Sequence, residues 1–317
     1  MSDKRGLRAE WRDFLRFVRK PQVAPRLPCR GPARGAWRDW FPGVPLRRIV
    51  QWAGLLWLVN LVFLGPIAVS AAGLGGATHR IDINNMPWLQ ALLWAPIVEE
   101  LVFRYWLRRP VNAWWVLPAA IGIMLSGPKW PAVFALAALL LLCWRPMLIG
   151  RKAPMRRPAF PHASPAEKEA VVAGDDTAAP AGAAAGATSA YMTREMPEAS
   201  GLPGGKRRRL GPDWLWGLQP TPWRYRRAYL RLFPLMFHLA SLAFAAVHLY
   251  NFNLHQTPWW LLPLLVLPQW VTGLVLGWMR VRRGIGASML LHGAFNGGPL
   301  LVVWLLLQFT DIATQAM

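Results

Sequence analysis

Two adjacent glutamates and an arginine lie inside a long apolar stretch of the sequence. Glu99, Glu100 and Arg104 are the charged residues of the stretch 86–107. If this stretch is helical, Glu100 and Arg104 are four residues apart on one face and can form an ion pair. Glu99 points about 100° away around the helix and has no cation nearby in the sequence. A second buried carboxylate with no local cation therefore needs an explanation other than an ion pair.

Two further apolar stretches carry imidazole and amide side chains. His248 lies near the end of 232–250, and His292 and Asn296 lie four residues apart in 285–309. A single histidine inside an apolar helix most often makes a hydrogen bond between helices, and we assign His238 that role. Polar groups on three separate stretches instead favour a shared site, because charged and polar side chains inside a membrane usually face a cavity or a partner.

These spacings resemble the three motifs of the CPBP family of intramembrane proteases, which includes the type II CAAX prenyl endopeptidases. The motifs occur in the family's order, on separate predicted helices: Glu99-Glu100-x-x-x-Arg104, Phe244-x-x-x-His248 and His292-x-x-x-Asn296. The resemblance covers 86–107 and 232–309. It departs from the family in the extra apolar pair and the long loop between the first motif and the second.

The resemblance implies a role for each motif residue. Glu99 would activate a water molecule, and His248 would help to hold that water. His292 and Asn296 would polarise the scissile carbonyl and stabilise its oxyanion. Three residues would support this site: Glu100, Arg104 and Phe244.

A zinc site is the alternative mechanism. Glu99, His248 and His292 could form a His₂Glu set with one open position for water. We favour a glutamic mechanism without a metal or other cofactor, because no HExxH pair fixes two imidazoles one helical turn apart. With an ion present, Asn296 would also have less to do, since the metal itself can polarise the carbonyl.

Composition indicates an all-α, polytopic membrane protein. The chain is 54% hydrophobic and 16% charged, against about 25% charged residues in soluble domains. Apolar stretches reach the length of about 20 residues that a membrane-spanning helix needs. About seven spans are expected, near 49–73, 86–107, 111–127, 129–145, 232–250, 258–279 and 285–309. The third and fourth share a tight turn at 126–129, and a re-entrant pair is the alternative there.

The distribution of lysine and arginine predicts the orientation. Loops rich in these residues alternate with loops poor in them, which places the N-terminus in the cytoplasm and the C-terminus outside a plasma (inner) membrane. The net charge of +21 is confined to one side, where it can meet anionic lipids. We therefore expect lipid and a membrane-associated peptide or protein substrate as partners, and no nucleic acid.

Five regions are predicted along the chain. Residues 1–48 form a basic cytoplasmic tail, in which 6–20 have the pattern of an interfacial amphipathic helix with Leu7, Trp11, Phe14, Leu15 and Val18 on one face. Residues 49–145 hold spans one to four, and 232–309 hold spans five to seven. Residues 146–231 are rich in Ala, Gly, Pro and Ser and predict a disordered cytoplasmic loop. Residues 310–317 form a short tail.

An intramembrane endopeptidase is the function that these observations favour. A proton-coupled transporter is the first alternative, because Glu, His and Asn inside a helical bundle also suit a proton relay. We find none of the inverted repeats that would favour it. A non-catalytic scaffold or immunity protein is the second alternative, and an altered motif would favour it.

Overall fold

The protein is built from helices that the computed structural model describes over residues 6–23, 37–40, 44–80, 88–149, 223–254 and 256–315. In chain order the α-helices are α1 Leu7–Arg19, α2 Trp37–Trp40, α3 Leu46–Val59, α4 Gly65–Gly75, α5 Ala95–Phe103, α6 Ala113–Ser126, α7 Trp130–Ile149, α8 Trp223–Val247, α9 Leu262–Leu265, α10 Leu267–Arg282 and α11 Ile285–Gln315. Two π-helical segments, Asn60–Leu64 and Gln90–Trp94, lead into α4 and α5. In the described ranges strand structure is confined to β1 Thr78–His79 and β2 Phe252–Asn253.

The length and apolar composition of its helices identify this chain as a membrane protein. The helices α3 and α4, with the π-helical segment between them, form one continuous helical segment, Leu46–Gly75. This segment and the helix Trp223–Asn251 are long and apolar enough to cross a membrane. A third crossing results if Trp259–Leu265 and Leu267–Arg282, which meet at a 48° bend, act as one span. The all-α membrane architecture is therefore confirmed, whereas the count of seven spans stays a prediction.

The turn between α6 and α7 lies where the sequence places it. Gly127 has a φ of 66°, a left-handed conformation that glycine adopts without steric cost. The apolar helices on either side, Pro110–Ser126 and Trp130–Arg145, are shorter than the full spans, which suits the re-entrant alternative as well as two short crossings.

Several helix boundaries differ from those expected. The stretch 86–107 is not one helix, because a π-helical segment precedes α5 and α5 ends at Phe103. The fifth expected span begins earlier, since α8 starts at Trp223. The last helix continues to Gln315, through residues expected to form a tail. Most of the expected loop 146–231 lies outside the described residues.

Packing of α5, α8, α10 and α11 forms the core that carries the motifs. The helix α10 lies against both α8 and α11, and α5 packs on α6 and α11. Aromatic side chains fill the centre, among them Trp278, Phe233 and Phe237, which are all fully buried. Many apolar side chains point outward instead, such as Leu61 and Val69, which are 74% and 72% exposed. Such an apolar surface is typical of contact with lipid.

The N-terminal helix α1 docks on the arginine-rich end of this bundle. Glu10, Phe14 and Phe17 are buried, and Glu10 Oε2 accepts a 2.9 Å hydrogen bond from Trp52 Nε1. Glu10 also forms an ion pair with Arg283. Of the expected apolar face, Trp11 and Leu15 remain exposed, so they are the side chains that can still meet the membrane interface.

Asp39 joins the short helix α2 to two other parts of the fold. Its carboxylate pairs with Arg280 and, at 3.2 Å, with Arg109. The Arg280 guanidinium is fully buried and also donates to the carbonyl oxygens of Arg104 at 3.0 Å and Tyr105 at 2.8 Å. The charge at this end is therefore partly neutralised inside the protein.

We expect the substitution Asp39→Asn to destabilise the fold strongly. Removing one partner of a buried ion pair leaves an uncompensated buried charge, which costs about 3–5 kcal/mol. The matched control is Asp13→Asn, because Asp13 pairs with Arg282 at a partly exposed position and should lose about 1 kcal/mol or less. Unfolding in detergent micelles measures both. Equal losses in the two variants would contradict the structural role given to Asp39.

Candidate active site

A π-helical turn shapes the segment that leads to the two glutamates. The Ala95 N–H bonds to the Gln90 carbonyl rather than to the Ala91 carbonyl, which an α-helix would use. The next residue, Pro96, has no N–H to offer. The Ala91 carbonyl therefore needs a partner from outside the helix, and Asn296 Nδ2 donates to it at 3.1 Å.

Both carboxylate oxygens of Glu100 contact hydrogen-bonding or charged groups of the protein. It is fully buried, and Oε1 pairs with Arg104 on the next turn. Oε1 also lies 3.2 Å from His292 Nδ1, and Oε2 accepts a 2.5 Å hydrogen bond from Ser288 Oγ. Because every strong contact of this carboxylate is internal, Glu100 serves the structure of the site.

Glu99 differs from its neighbour in both burial and contacts. Its side chain is 19% exposed, and Oε2 lies 3.7 Å from His292 Nε2, beyond hydrogen-bond distance. Among the described residues Oε2 has no hydrogen-bond partner. A carboxylate oxygen without a partner is uncommon in a native structure and is typical of a functional position or a water site.

Phe244 packs at the centre of the site. Its ring is buried and lies 4.0 Å from Arg104 Cζ, a cation–π contact. The His248 and His292 rings are 4.7 Å and 5.7 Å from it, centroid to centroid. One aromatic side chain of α8 thus contacts the arginine that follows α5 and two imidazoles.

His248 begins the 3₁₀ turn that follows α8. Its Nδ1 lies 2.8 Å from the Phe244 carbonyl oxygen, a contact in which the ring nitrogen must donate. In a neutral imidazole Nε2 is then an acceptor.

A cavity of about 790 Å³ opens beside Glu99. This volume is in the range of sites that bury small ligands. Its walls are the end of α6, the end of α8 with the turn after it, and Arg80: the lining residues are Arg80, Glu99, Met124, Leu125, Ala246, Val247, Leu249, Tyr250, Asn251, Phe252 and Leu254. The cavity is mostly apolar, with Glu99 as its carboxylate.

The structure brings most of the expected site residues together. His292 lies 3.7 Å from Glu99 and 3.2 Å from Glu100, nitrogen to carboxylate oxygen, and Phe244 links this group to His248. Asn296 instead contacts the backbone at Ala91. His238, expected to be structural, packs on Phe237.

Sequence reasoning missed Ser288. Its Oγ lies 2.5 Å from Glu100 Oε2 and 2.9 Å from the Leu276 carbonyl oxygen, which joins α5, α10 and α11. Its position four residues before His292 puts both side chains on one helical face, and that spacing was the available signal.

A zinc site would need Glu99, His248 and His292 to converge on one point. A catalytic zinc uses three protein ligands and one open position. Glu99 Oε2 and the Nε2 atoms of His248 and His292 are the candidate donors, because His292 Nδ1 faces Glu100 and His248 Nδ1 faces a carbonyl oxygen, as is usual for zinc-bound histidines. Across the described ranges, no group of three His, Cys, Asp or Glu side chains is arranged to hold a metal ion.

Fold and site together define a helical membrane protein with a buried acid–imidazole cluster beside a cavity. A family model described as type II CAAX prenyl endopeptidase Rce1-like matches residues 215–298. This match is consistent with the CPBP family that the motifs resemble, and it covers the motifs on α8 and α11. The glutamate motif on α5 lies outside the matched residues. Comparison with curated proteins and with solved structures gives no match.

We expect Ser288→Ala to destabilise the protein by about 1–3 kcal/mol, because it removes a hydrogen bond from a buried carboxylate. Ser241→Ala is the matched control. Ser241 is equally buried, but its hydroxyl bonds only to the Phe237 carbonyl within its own helix. Thermal unfolding in detergent compares the two variants. A larger loss for Ser241→Ala would contradict the role of Ser288 at Glu100.

Proposed function

We propose that the protein is an intramembrane endopeptidase that hydrolyses a peptide bond of a membrane-associated substrate with a water molecule activated by Glu99. The observation that carries this proposal is the contrast between the two glutamates. Glu100 is saturated by internal partners, whereas Glu99 has an unpartnered oxygen and lines the cavity. The family match supports a protease of this kind.

The proposed reaction begins with a water molecule beside Glu99. His248 would accept a hydrogen bond from this water at Nε2, since its Nδ1 is engaged by the Phe244 carbonyl. Glu99 would take a proton from the water as the oxygen attacks the scissile carbonyl carbon. General-base assistance of this kind contributes about 10²–10⁴ in rate.

The negative charge that develops on the carbonyl oxygen needs donors. In the proposed step His292 carries protons on both nitrogens, so that Nδ1–H donates to Glu100 and Nε2–H donates to the oxyanion. Two carboxylates, Glu99 and Glu100, would then be balanced by Arg104 and His292. Asn296 would act through its second amide N–H, because the first is donated to the Ala91 carbonyl. Collapse of the tetrahedral intermediate breaks the C–N bond as Glu99 returns its proton to the leaving amine.

The orientation that the sequence predicts places the arginine-rich end in the cytoplasm. Arg108 donates to the Val281 carbonyl at this end, and Tyr229 donates to the Leu107 carbonyl. The cavity lies towards the opposite end of α8 and α6. In the proposed topology the substrate would therefore reach Glu99 from the outer half of a plasma membrane, with anionic lipids at the basic end.

The variant Glu99→Gln tests the proposed base. Protein in phosphatidylcholine vesicles is incubated with a lipid-anchored, quenched-fluorescence peptide library, and wild type is expected to cleave a subset of it. Glu99→Gln should lower the rate about 10²–10⁴-fold with an unchanged unfolding midpoint. Glu100→Gln is the control and should instead lower the unfolding midpoint, because Arg104 is left buried without its partner. Full activity in Glu99→Gln would rule out the proposed base.

Metal removal tests the alternative mechanism. We expect cleavage to persist after prolonged treatment with a strong chelator and dialysis, and elemental analysis to give well under one equivalent of zinc. The reason is that, in the described ranges, no group of three His, Cys, Asp or Glu side chains is arranged to hold a metal ion. Loss of activity that added zinc restores, with zinc absent from His248→Ala, would make the enzyme a metalloprotease.

A further inference from the structure

We propose that Arg80 is a specificity residue that binds a carboxylate of the substrate peptide in the cavity beside Glu99. The inference rests on the proposed function and adds the chemical class of substrate to it. Arg80 itself lies outside the three motifs and outside the matched residues 215–298.

Two residues of opposite charge lie in the lining of the cavity. Arg80 and Glu99 are its charged residues, and apolar side chains such as Leu125, Val247 and Leu254 lie among the rest. An acidic group that enters is attracted to Arg80 and repelled by Glu99. A peptide with one carboxylate would therefore bind in one direction, with its acidic end away from the base.

The side chain of Arg80 is oriented by contacts with the segment that follows His248. Its Nε donates to Asn253 Oδ1 at 2.7 Å, and its Cζ lies 5.1 Å from the centre of the Tyr250 ring. Its backbone N–H donates to the Asn251 carbonyl at 2.8 Å. A guanidinium oriented in this way loses little further freedom when it binds a ligand.

Strand pairing places this arginine at the cavity. β1 and β2 are antiparallel, with Thr78 opposite Asn253 and His79 opposite Phe252. The Thr257 hydroxyl also donates to the Gly75 carbonyl at 2.9 Å. These contacts join the loop after α4 to the turn that carries His248, so that the specificity residue and the site share one rigid connection.

Carboxylate is the ligand class that fits these observations. The planar guanidinium binds carboxylates through two parallel hydrogen bonds, and among the described residues no ion pair of Arg80 with a carboxylate occurs. The carboxylate can be the C-terminal group of the substrate or an aspartate or glutamate side chain. The apolar walls would take the uncharged residues between this group and the scissile bond.

Peptide binding tests the proposal without depending on cleavage. The probes are three fluorescent, lipid-anchored peptides of Leu and Ala: one with a free C-terminal carboxylate, one with a C-terminal amide, and one amide with a single internal Asp. In phosphatidylcholine vesicles the wild type should bind at least one acidic peptide about tenfold more tightly than the neutral amide, as a charge-assisted pair allows. The acidic peptide that binds more tightly identifies the source of the carboxylate.

Variants assign the preference to Arg80. Arg80→Gln should reduce the acid-to-amide ratio to about two or less, and Arg80→Lys, which keeps the charge but not the two parallel donors, should give an intermediate ratio. Lys129→Gln is the control for general charge. Lys129 is exposed and lies four residues beyond Leu125, outside the cavity lining, so its variant should keep the wild-type ratio.

The outcomes separate this inference from the proposed function. An equal ratio in wild type and Arg80→Gln, or no acid preference in wild type, overturns the role of Arg80 even if the library is cleaved. A wild type that binds acidic peptides through Arg80 but cleaves none would support the inference and contradict the endopeptidase.

Discussion

The site depends on one physical constraint, the need to satisfy a carboxylate that is removed from water. An ionised group in a medium of low dielectric constant is costly unless charges and hydrogen bonds compensate it. Glu100 meets this requirement through an arginine of its own helix and through Ser288 and His292 of α11. The same contacts hold α11 against α5. The catalytic geometry proposed for Glu99 and His292 is therefore a by-product of satisfying Glu100.

A backbone carbonyl that needs a hydrogen-bond donor imposes a second constraint at the same helix. The π-helical turn before α5 and Pro96 leave the Ala91 carbonyl without a helical partner, and an amide side chain from α11 supplies one. Such turns are frequent at functional sites, because they rotate the following residues relative to the preceding turn. The rotation sets the direction in which Glu99 and Glu100 point. A family motif residue thus has a structural task in this protein beside any chemical one.

Local spacing was enough to predict part of this arrangement. The ion pair of Glu100 with Arg104 and the separate direction of Glu99 follow from 3.6 residues per turn. The contacts of Ser288, Asp39 and Arg80 could not be predicted, since each joins segments far apart in sequence and involves a residue type that is ordinary on a surface. Hydropathy located the apolar segments, but the π-helical turn and the helix ends depend on individual backbone bonds that it does not report.

The docking of α1 also has a consequence for the order in which the chain assembles. Glu10 and Asp13 are translated long before Arg282 and Arg283, with which they form ion pairs. Until the last helices have entered the membrane, the acidic side of α1 has no matching cations from α10. The helix α1 consequently completes these ion pairs only after α10 is in place, although it precedes α10 by more than two hundred residues in the chain.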